Sequence, residues 1–421
     1  MPDEERMTIE ERYKYLRAQR RRYEKADRGG KSKLLDEMEA VTGLHRKSLI
    51  RLLAGEPRRK KRRQERGHTY DEAVGQAVLY LAETLDWICA ERLTPSLPWV
   101  AALLMEQGEL ELEEAVIEKL GEISAATVRR ILACVPKERW RLPQRSPRPN
   151  PLARQVAVER IRWDVGEAGH MEMDLVHHSG RSSEGEYLHT LQMVDVATGW
   201  SELEVVPGRS YFAVTAALGC ILDRLPFPVV EVHCDNGAEF LNHHLLRYLG
   251  ERLGEGKLTR SRPYHKNDSR YVEQKNSSLV RAYVGYQRLD SPAQAKTLSR
   301  VYRHMRLYYN LYQPVMHLVE KSYVNEPGGG TKVKRRYDQA TTPLDRLIAL
   351  GALDGPSKEQ WLSLRRATNP RRLREQIYAL LEELRSLPGG SGLGDVRVLM
   401  ASLAMALDAE TQLLTSAVAV Q

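Results

Sequence analysis

Three acidic side chains carry the chemistry this sequence could do. Asp174 closes the run Met171-Glu172-Met173-Asp174. Asp235 lies in Val232-His233-Cys234-Asp235-Asn236-Gly237-Ala238-Glu239-Phe240, and Glu273 in Arg270-Tyr271-Val272-Glu273-Gln274-Lys275. Two strand-end aspartates and one helical glutamate can hold a pair of divalent cations, and such a pair clamps the attacking and leaving oxygens of an in-line displacement at phosphorus. Three close carboxylates repel one another and raise each other's pKa; Mg²⁺, which prefers oxygen ligands, would supply the missing charge. Taken alone, a strand-end aspartate is more often a turn former. Neighbouring acids read as structural: Asn236 with Glu239 three residues on fits a capping box, Asp195 suits the turn before Gly199, Asp268 begins a helix, and Glu172 shares a strand face with Asp174 as a decoy.

The elements that must position these acids follow from periodicity. His170 to His177 alternates, with Met171, Met173 and Leu175 on one face and Glu172, Asp174 and Val176 on the other, which predicts a strand. Tyr187 to Val196 and Trp200 to Val206 predict two more, joined by short turns into an antiparallel meander. A helix over 210–225, a short strand 229–233, a helix 238–253, a strand 257–261 and a helix 268–287 complete a β-β-β-α-β-α-β-α order. In that order the first and fourth strands can lie side by side, bringing Asp174 near Asp235. Glu273 borders the apolar stripe Val272, Leu279, Val280 and Tyr283, from which it can reach over the strand ends.

Asp235-Asn236-Gly237-Ala238-Glu239-Phe240 resembles the second-aspartate motif of the integrase-core transposases, which share a retroviral-integrase-like fold and an Asp-Asp-Glu triad. Tyr264-His265-Lys266-Asn267-Asp268-Ser269-Arg270-Tyr271-Val272-Glu273-Gln274-Lys275-Asn276 resembles the third-acid motif of a bacterial insertion-sequence branch, and Tyr309-Asn310-Leu311-Tyr312-Gln313-Pro314 the aromatic helix end after that core. The resemblance covers about residues 165–320. It implies an RNase H-like core with a mixed five-stranded sheet and the triad Asp174, Asp235 and Glu273, holding two Mg²⁺ ions with Mn²⁺ able to stand in. Two departures concern loop geometry: 37 residues separate Asp235 from Glu273, slightly more than the usual retroviral spacing, and Asn267-Asp268 stands where many relatives carry Asn-Gly. Lys266 and Lys275 are candidate DNA contacts beside the site.

The flanks read as DNA-binding. Lys31 to Leu53 fits a helix-turn-helix: Leu34, Leu35 and Met38 form an apolar face, Gly43 permits the turn, and Leu49 and Leu52 pack the second helix back. His45, Arg46 and Lys47 begin that second helix, where base edges and phosphates would be met. Arg58, Arg59, Lys60, Lys61, Arg62 and Arg63 are six consecutive cations, better explained by phosphate neutralisation than by a solvated face. A second such unit runs from Glu113 to Leu132, capped by Ser124 and carrying Arg129 and Arg130. Lys332 to Arg336 is a further basic segment, in a Gly-rich hairpin, for which a solvated surface reads equally well.

The 421 residues divide into an N-terminal helix-turn-helix with a basic arm (1–66), a second helical domain (67–141), a Pro-rich linker (142–160), the catalytic core (161–290) and a mainly α C-terminal region with a small hairpin (291–421). With 42% hydrophobic residues a packed core is expected. Lys and Arg number 64 against 56 Asp and Glu, an excess of 8 concentrated before residue 63, as a polyanionic partner would require. Four cysteines with no Cys-x-x-Cys pair argue against zinc or a disulfide framework, and no apolar run nears the ~18 residues of a membrane span. The expectation is a cytoplasmic, nucleoid-associated DNA transposase, a homodimer or higher homo-oligomer on double-stranded DNA. Two rivals remain at this level: a catalytically degenerate DNA-binding regulator, and an RNase H-like nuclease without joining activity.

Overall fold

A computed structural model describes residues 7–55, 57, 70–134, 166–234, 240, 243–254, 257–260, 270–325 and 331–405. The chain forms two compact units, residues 1–69 and 70–421. In the first, α1 (Ile9–Lys25), α2 (Arg28–Thr42) and α3 (Arg46–Leu53) enclose Leu16, Leu35, Met38, Leu49 and Leu53. Thr8 and Glu11 form a reciprocal capping box at the start of α1, and Asp27 caps α2 through the Gly30 N–H at 2.8 Å. Gly43 ends α2 at φ 65°, a left-handed conformation that an L side chain rarely adopts, so the chain turns at once into α3.

The second unit begins with α4 (Glu72–Thr84), α5 (Ala90–Leu93), a 3₁₀ turn (Thr94–Ser96), α6 (Leu97–Glu106), α7 (Glu114–Glu122) and α8 (Ala125–Ala133). Ser124 caps α8 through the Thr127 N–H, as its place before the apolar run predicted. These helices share one unit with the sheet. Asp86, left-handed and buried between α4 and α5, accepts hydrogen bonds from Tyr283 and, at 2.8 Å, from Tyr378.

The sheet comprises β1 (His170–His177), β2 (Leu188–Asp195), β3 (Ser201–Pro207), β4 (Glu231–Cys234) and β5 (Leu258–Arg260), in the order β3-β2-β1-β4-β5. β1 to β3 are antiparallel, while β4 runs parallel to β1 and β5 to β4. This mixed five-stranded sheet is consistent with the RNase H-like core that the sequence leads one to expect. Between β3 and β4 runs α9 (Tyr211–Arg224), capped by Ser210; α10 (His243–Leu253) and α11 (Arg270–Lys275) follow, and then α12 (Pro292–Tyr312). Every residue of β2 and β3 is buried, because helices pack on this meander on both sides. Asn310 of α12 satisfies both backbone groups of Ser201 at 2.9 Å, and the Tyr302 hydroxyl meets Thr190 at 2.5 Å.

The remaining elements are the hairpin strands β6 (Leu318–Asn325) and β7 (Thr331–Tyr337), then α13 (Pro343–Ala349), α14 (Gly355–Ala367), α15 (Pro370–Ser386) and a helical stretch over 396–405. α15 packs along α12, with Thr297 donating to Glu383 at 2.8 Å. One expected element differs. The single helix expected over 268–287 is, from Arg270 on, α11 followed by a π-helical turn, Asn276–Arg281, and then by turns through Tyr286, with Gly285 at φ 80°. A π turn inserts one extra residue, which changes the direction of the side chains after it, and such turns recur at functional sites.

Candidate active site

β1, which carries Asp174, is tied by two bridges to the helical segment that carries Glu273. The first is Glu172, fully buried on β1. Its Oε2 accepts the backbone N–H groups of Tyr271 at 2.8 Å and Val272 at 2.9 Å, so it caps the first turn of the helix that carries Glu273. The second bridge starts at the π turn, where Asn276 donates its amide to Asp174 Oδ2 at 2.5 Å. Asp174 is half-buried, and its Oδ1 accepts the N–H of Leu175 at 2.8 Å. Glu273 stands exposed in the first turn of α11, where the helix end favours a negative charge. Alternation on β1 could place Glu172 on the face of Asp174 but could not foretell its task, because its partners lie about a hundred residues further on.

β4 brings Cys234 opposite Met173 in the parallel register, one residue short of Asp174. Asp235 comes next in the chain and, like Lys266 and Arg58, Arg59, Lys60, Lys61, Arg62 and Arg63, lies outside the described residues. Among the described residues no group of three His, Cys, Asp or Glu side chains could hold a metal ion. The donors present at Asp174 and Glu273 are carboxylate oxygens, the donor set suited to a hard cation such as Mg²⁺.

Lys275, two residues beyond Glu273, is half-buried. Burial, and then the charge of Arg92, pull its pKa down to about 7. Behind β1 the histidines are buried as well. His178 joins Thr190 at 2.7 Å, and its pKa is held well below the usual value by burial and then by Arg281. His189 is pulled to about 3 by burial and then by His177, whose ring lies 4.8 Å away. Asp195 is buried in the β2–β3 turn, accepting from the N–H groups of Gly169 at 2.8 Å and Thr198 at 2.9 Å and from the Thr198 hydroxyl at 2.6 Å; burial raises its pKa.

Of the helical cations, His45 is exposed and caps α3, accepting the Lys47 N–H at 3.2 Å. Arg46 pairs with Asp36 and donates to the Ser32 hydroxyl at 2.7 Å, bracing α3 against α2, while Lys47 is exposed. Arg129 pairs with Glu91, and Arg130 donates to the Thr127 hydroxyl at 3.0 Å; both remain exposed.

No protein-family model matches the chain. A Sinorhizobium fredii (strain NBRC 101917 / NGR234) protein, "Uncharacterized protein y4rM", is 35% identical over 343 residues, which cover 81% of this chain and 96% of that protein. Among solved structures, the catalytic core domain of BIV integrase matches with 22% identity and a TM-score of 0.22 over 26% of this chain. A simian T-cell lymphotropic virus intasome in complex with the PP2A regulatory subunit B56 gamma matches with 18% identity and a TM-score of 0.25 over 42%. The chain spans 66% and 57% of those two solved chains. Among the described residues, no helix is long and apolar enough to cross a membrane.

Proposed function

We propose, for a chain that belongs to the family of the Sinorhizobium fredii protein y4rM, the role of a DNA transposase that binds the terminal repeats of a mobile element, nicks the element's 3′ ends and joins them to target DNA. The observation that carries this reading is the double bridge from β1 to α11. Glu172 holds the start of the Glu273 helix and Asn276 holds Asp174, so the elements that carry two carboxylates from distant parts of the chain are tied to each other at the central strand of a mixed sheet. A site built on rigid elements with its own supporting hydrogen bonds is what a demanding geometry needs.

Asp174, Asp235 and Glu273 would hold two Mg²⁺ ions, with Mn²⁺ as a substitute. When bound, such a pair supplies the positive charge that activates an attacking oxygen and steadies a leaving one. The chain's own contribution is to aim the carboxylates. Asp174 is oriented by Leu175 and Asn276, and Glu273 by its place in a capped first turn. No covalent intermediate on the protein is required, because water and then a 3′ hydroxyl can serve as successive nucleophiles.

The DNA would be read by α2–α3 and α7–α8 acting as helix-turn-helix units, with His45, Arg46, Lys47, Arg129 and Arg130 as candidate contacts and 58–63 as a phosphate-binding arm. Lys266 and Lys275 would lie near the scissile strand. Joining two element ends in one event calls for a homodimer or larger homo-oligomer. The test is a joining assay with labelled element ends and Mg²⁺. Transposase activity predicts joined product from the wild-type protein and none from Glu273→Gln, with DNA binding retained. Cleavage without joining would identify a nuclease instead, and sequence-specific binding without metal-dependent cleavage a regulator.

A further inference from the structure

The hairpin β6–β7 has a charge pattern that works against its own stability. Its two strands carry five cations, Lys321, Lys332, Lys334, Arg335 and Arg336, and a single carboxylate, Glu320, which pairs with Arg336 at 3.0 Å. The antiparallel register places Lys321 directly opposite Arg335. Like charges facing each other across a strand pair destabilise it, and the pair is exposed, with no burial to compensate. The same register puts Tyr323 opposite Val333, two residues along from the Lys321 pair, so that these side chains share one face of the ribbon. Tyr323 is 63% exposed, with the Lys321 ammonium 5.1 Å from its ring centroid; Val319 and Tyr337 are exposed as well. A two-stranded ribbon alone is marginal in water, so a cross-strand repulsion costs it more than it would cost a larger sheet.

We propose that this ribbon is a docking surface for the phosphate backbone of duplex DNA, with Lys321 and Arg335, which share one face, as its phosphate contacts. The charge complementarity is direct. A polyanion converts the Lys321–Arg335 repulsion into two favourable contacts and releases its own condensed counterions. A two-stranded ribbon also has a width that B-form DNA accepts in its major groove, whereas the deep, narrow major groove of duplex RNA does not admit side chains. A membrane surface fits less well, because an interfacial element needs a continuous apolar face and here the apolar side chains are interleaved with cations.

The inference deepens the transposase reading, which requires a DNA partner, but it does not depend on the acids. The decisive variant is Arg335→Glu in the full-length protein, which places a carboxylate opposite Lys321 and so turns the cross-strand repulsion into an attraction. Binding to an unrelated 30-base-pair duplex would be followed by fluorescence anisotropy between 50 and 200 mM salt. Arg335→Glu is expected to weaken binding about tenfold and to lower the slope of log affinity against log salt by about one. The thermal midpoint should hold or rise, and Arg335→Lys should bind as the wild type does. An unchanged affinity and salt slope in Arg335→Glu would overturn the proposal. So would a loss of binding accompanied by unfolding that Arg335→Lys shares, or a preference of the wild type for duplex RNA or anionic vesicles that the same variant abolishes. Failure of the transposase reading would show separately, as no joined product from the wild-type protein, with the ribbon's salt slope unaffected.

Discussion

Two strands of one sheet carry pairs of acids and use them in opposite ways. On β3, Glu202 and Glu204 are buried against two arginines. Arg224 reaches Glu202 at 2.7 Å and Glu204 at 2.5 Å, Arg306 reaches Glu202 at 2.8 Å, and the Trp200 indole N–H adds a contact at 2.8 Å. Burial alone would raise the Glu202 carboxyl, but Arg306 and Arg224 outweigh it and hold the pKa below the usual value. Charge is balanced there, and the carboxylates serve to lock β3, α9 and α12 together. On β1, Glu172 accepts two backbone N–H groups of α11, and Asp174 accepts a backbone N–H and the Asn276 amide, contacts that orient a carboxylate without cancelling its charge. An acid of the same type can thus be locked by arginines, as on β3, or aimed by backbone and amide N–H groups, as in these contacts of β1.

Substitutions can break that contrast. The largest effect is expected on the β1 side in function alone. Asp174→Asn keeps the side chain's size but not its charge, so strand joining should fall at least about a thousandfold, equivalent to roughly 4 kcal/mol, while the thermal midpoint barely moves. Joining at the wild-type rate would put Asp174 among the structural acids. The reverse is expected on β3. Glu202→Gln leaves Arg306 and part of Arg224 uncompensated and should cost about 3–5 kcal/mol in urea unfolding, with DNA affinity per folded molecule unchanged.

Glu172 sits between the two types, being buried like Glu202 but capping a helix through two backbone N–H groups. Glu172→Leu should cost about 1–3 kcal/mol by orphaning two N–H groups, and hydrogen exchange should speed up at Tyr271 and Val272. Glu172→Gln keeps one acceptor oxygen and should recover part of both losses; if Leu and Gln behave alike, the cap is not what fixes α11.

The smallest effect, per unit of pH, comes from titration. His178 and His189 have folded pKa values below that of the unfolded chain, so below about pH 6.5 the unfolded chain takes up protons that the folded chain refuses. Stability should therefore fall with acid by about 1.4 kcal/mol per pH unit for each histidine, until His189 itself protonates near its folded value of about 3. Glu202, lowered instead, holds its stabilisation above the ordinary glutamate range and loses it only as the pH drops through its folded pKa. The loss should therefore begin below about pH 6.5 and steepen as Glu202 is protonated, and His189→Phe should make the decline between about pH 6.5 and 4.5 shallower, leaving the share that His178 contributes.

Much of this arrangement was legible in the chain. The strand 170–177 could be bounded from alternation, α8 and α9 could be started from Ser124 and Ser210, and the end of α2 followed from Gly43. What escaped reading shares one cause. Alternation distinguishes two faces but not whether the polar one meets water, and here Glu172, Thr190 and Gln192 are all buried beneath elements that come later in the sequence. The Asn276 contact was hidden for a related reason. The spacing of Val272, Leu279 and Val280 fits one continuous helix, and the extra residue of a π turn leaves no mark in composition.

The bridge from β1 to α11 also has a consequence for the order in which the protein becomes competent. Asp174 leaves the ribosome well before the residues that complete its surroundings, since Tyr271, Val272 and Asn276 follow about a hundred codons later. At ordinary elongation rates that delay is about 5–20 s. Through that interval the growing chain already carries the α2–α3 and α7–α8 helices and Asp174 but not yet Glu273. Under the proposed function, the helices that would grip DNA are thus made before the acids that would cut it are complete, and the two are separated in time by the position of a single helix.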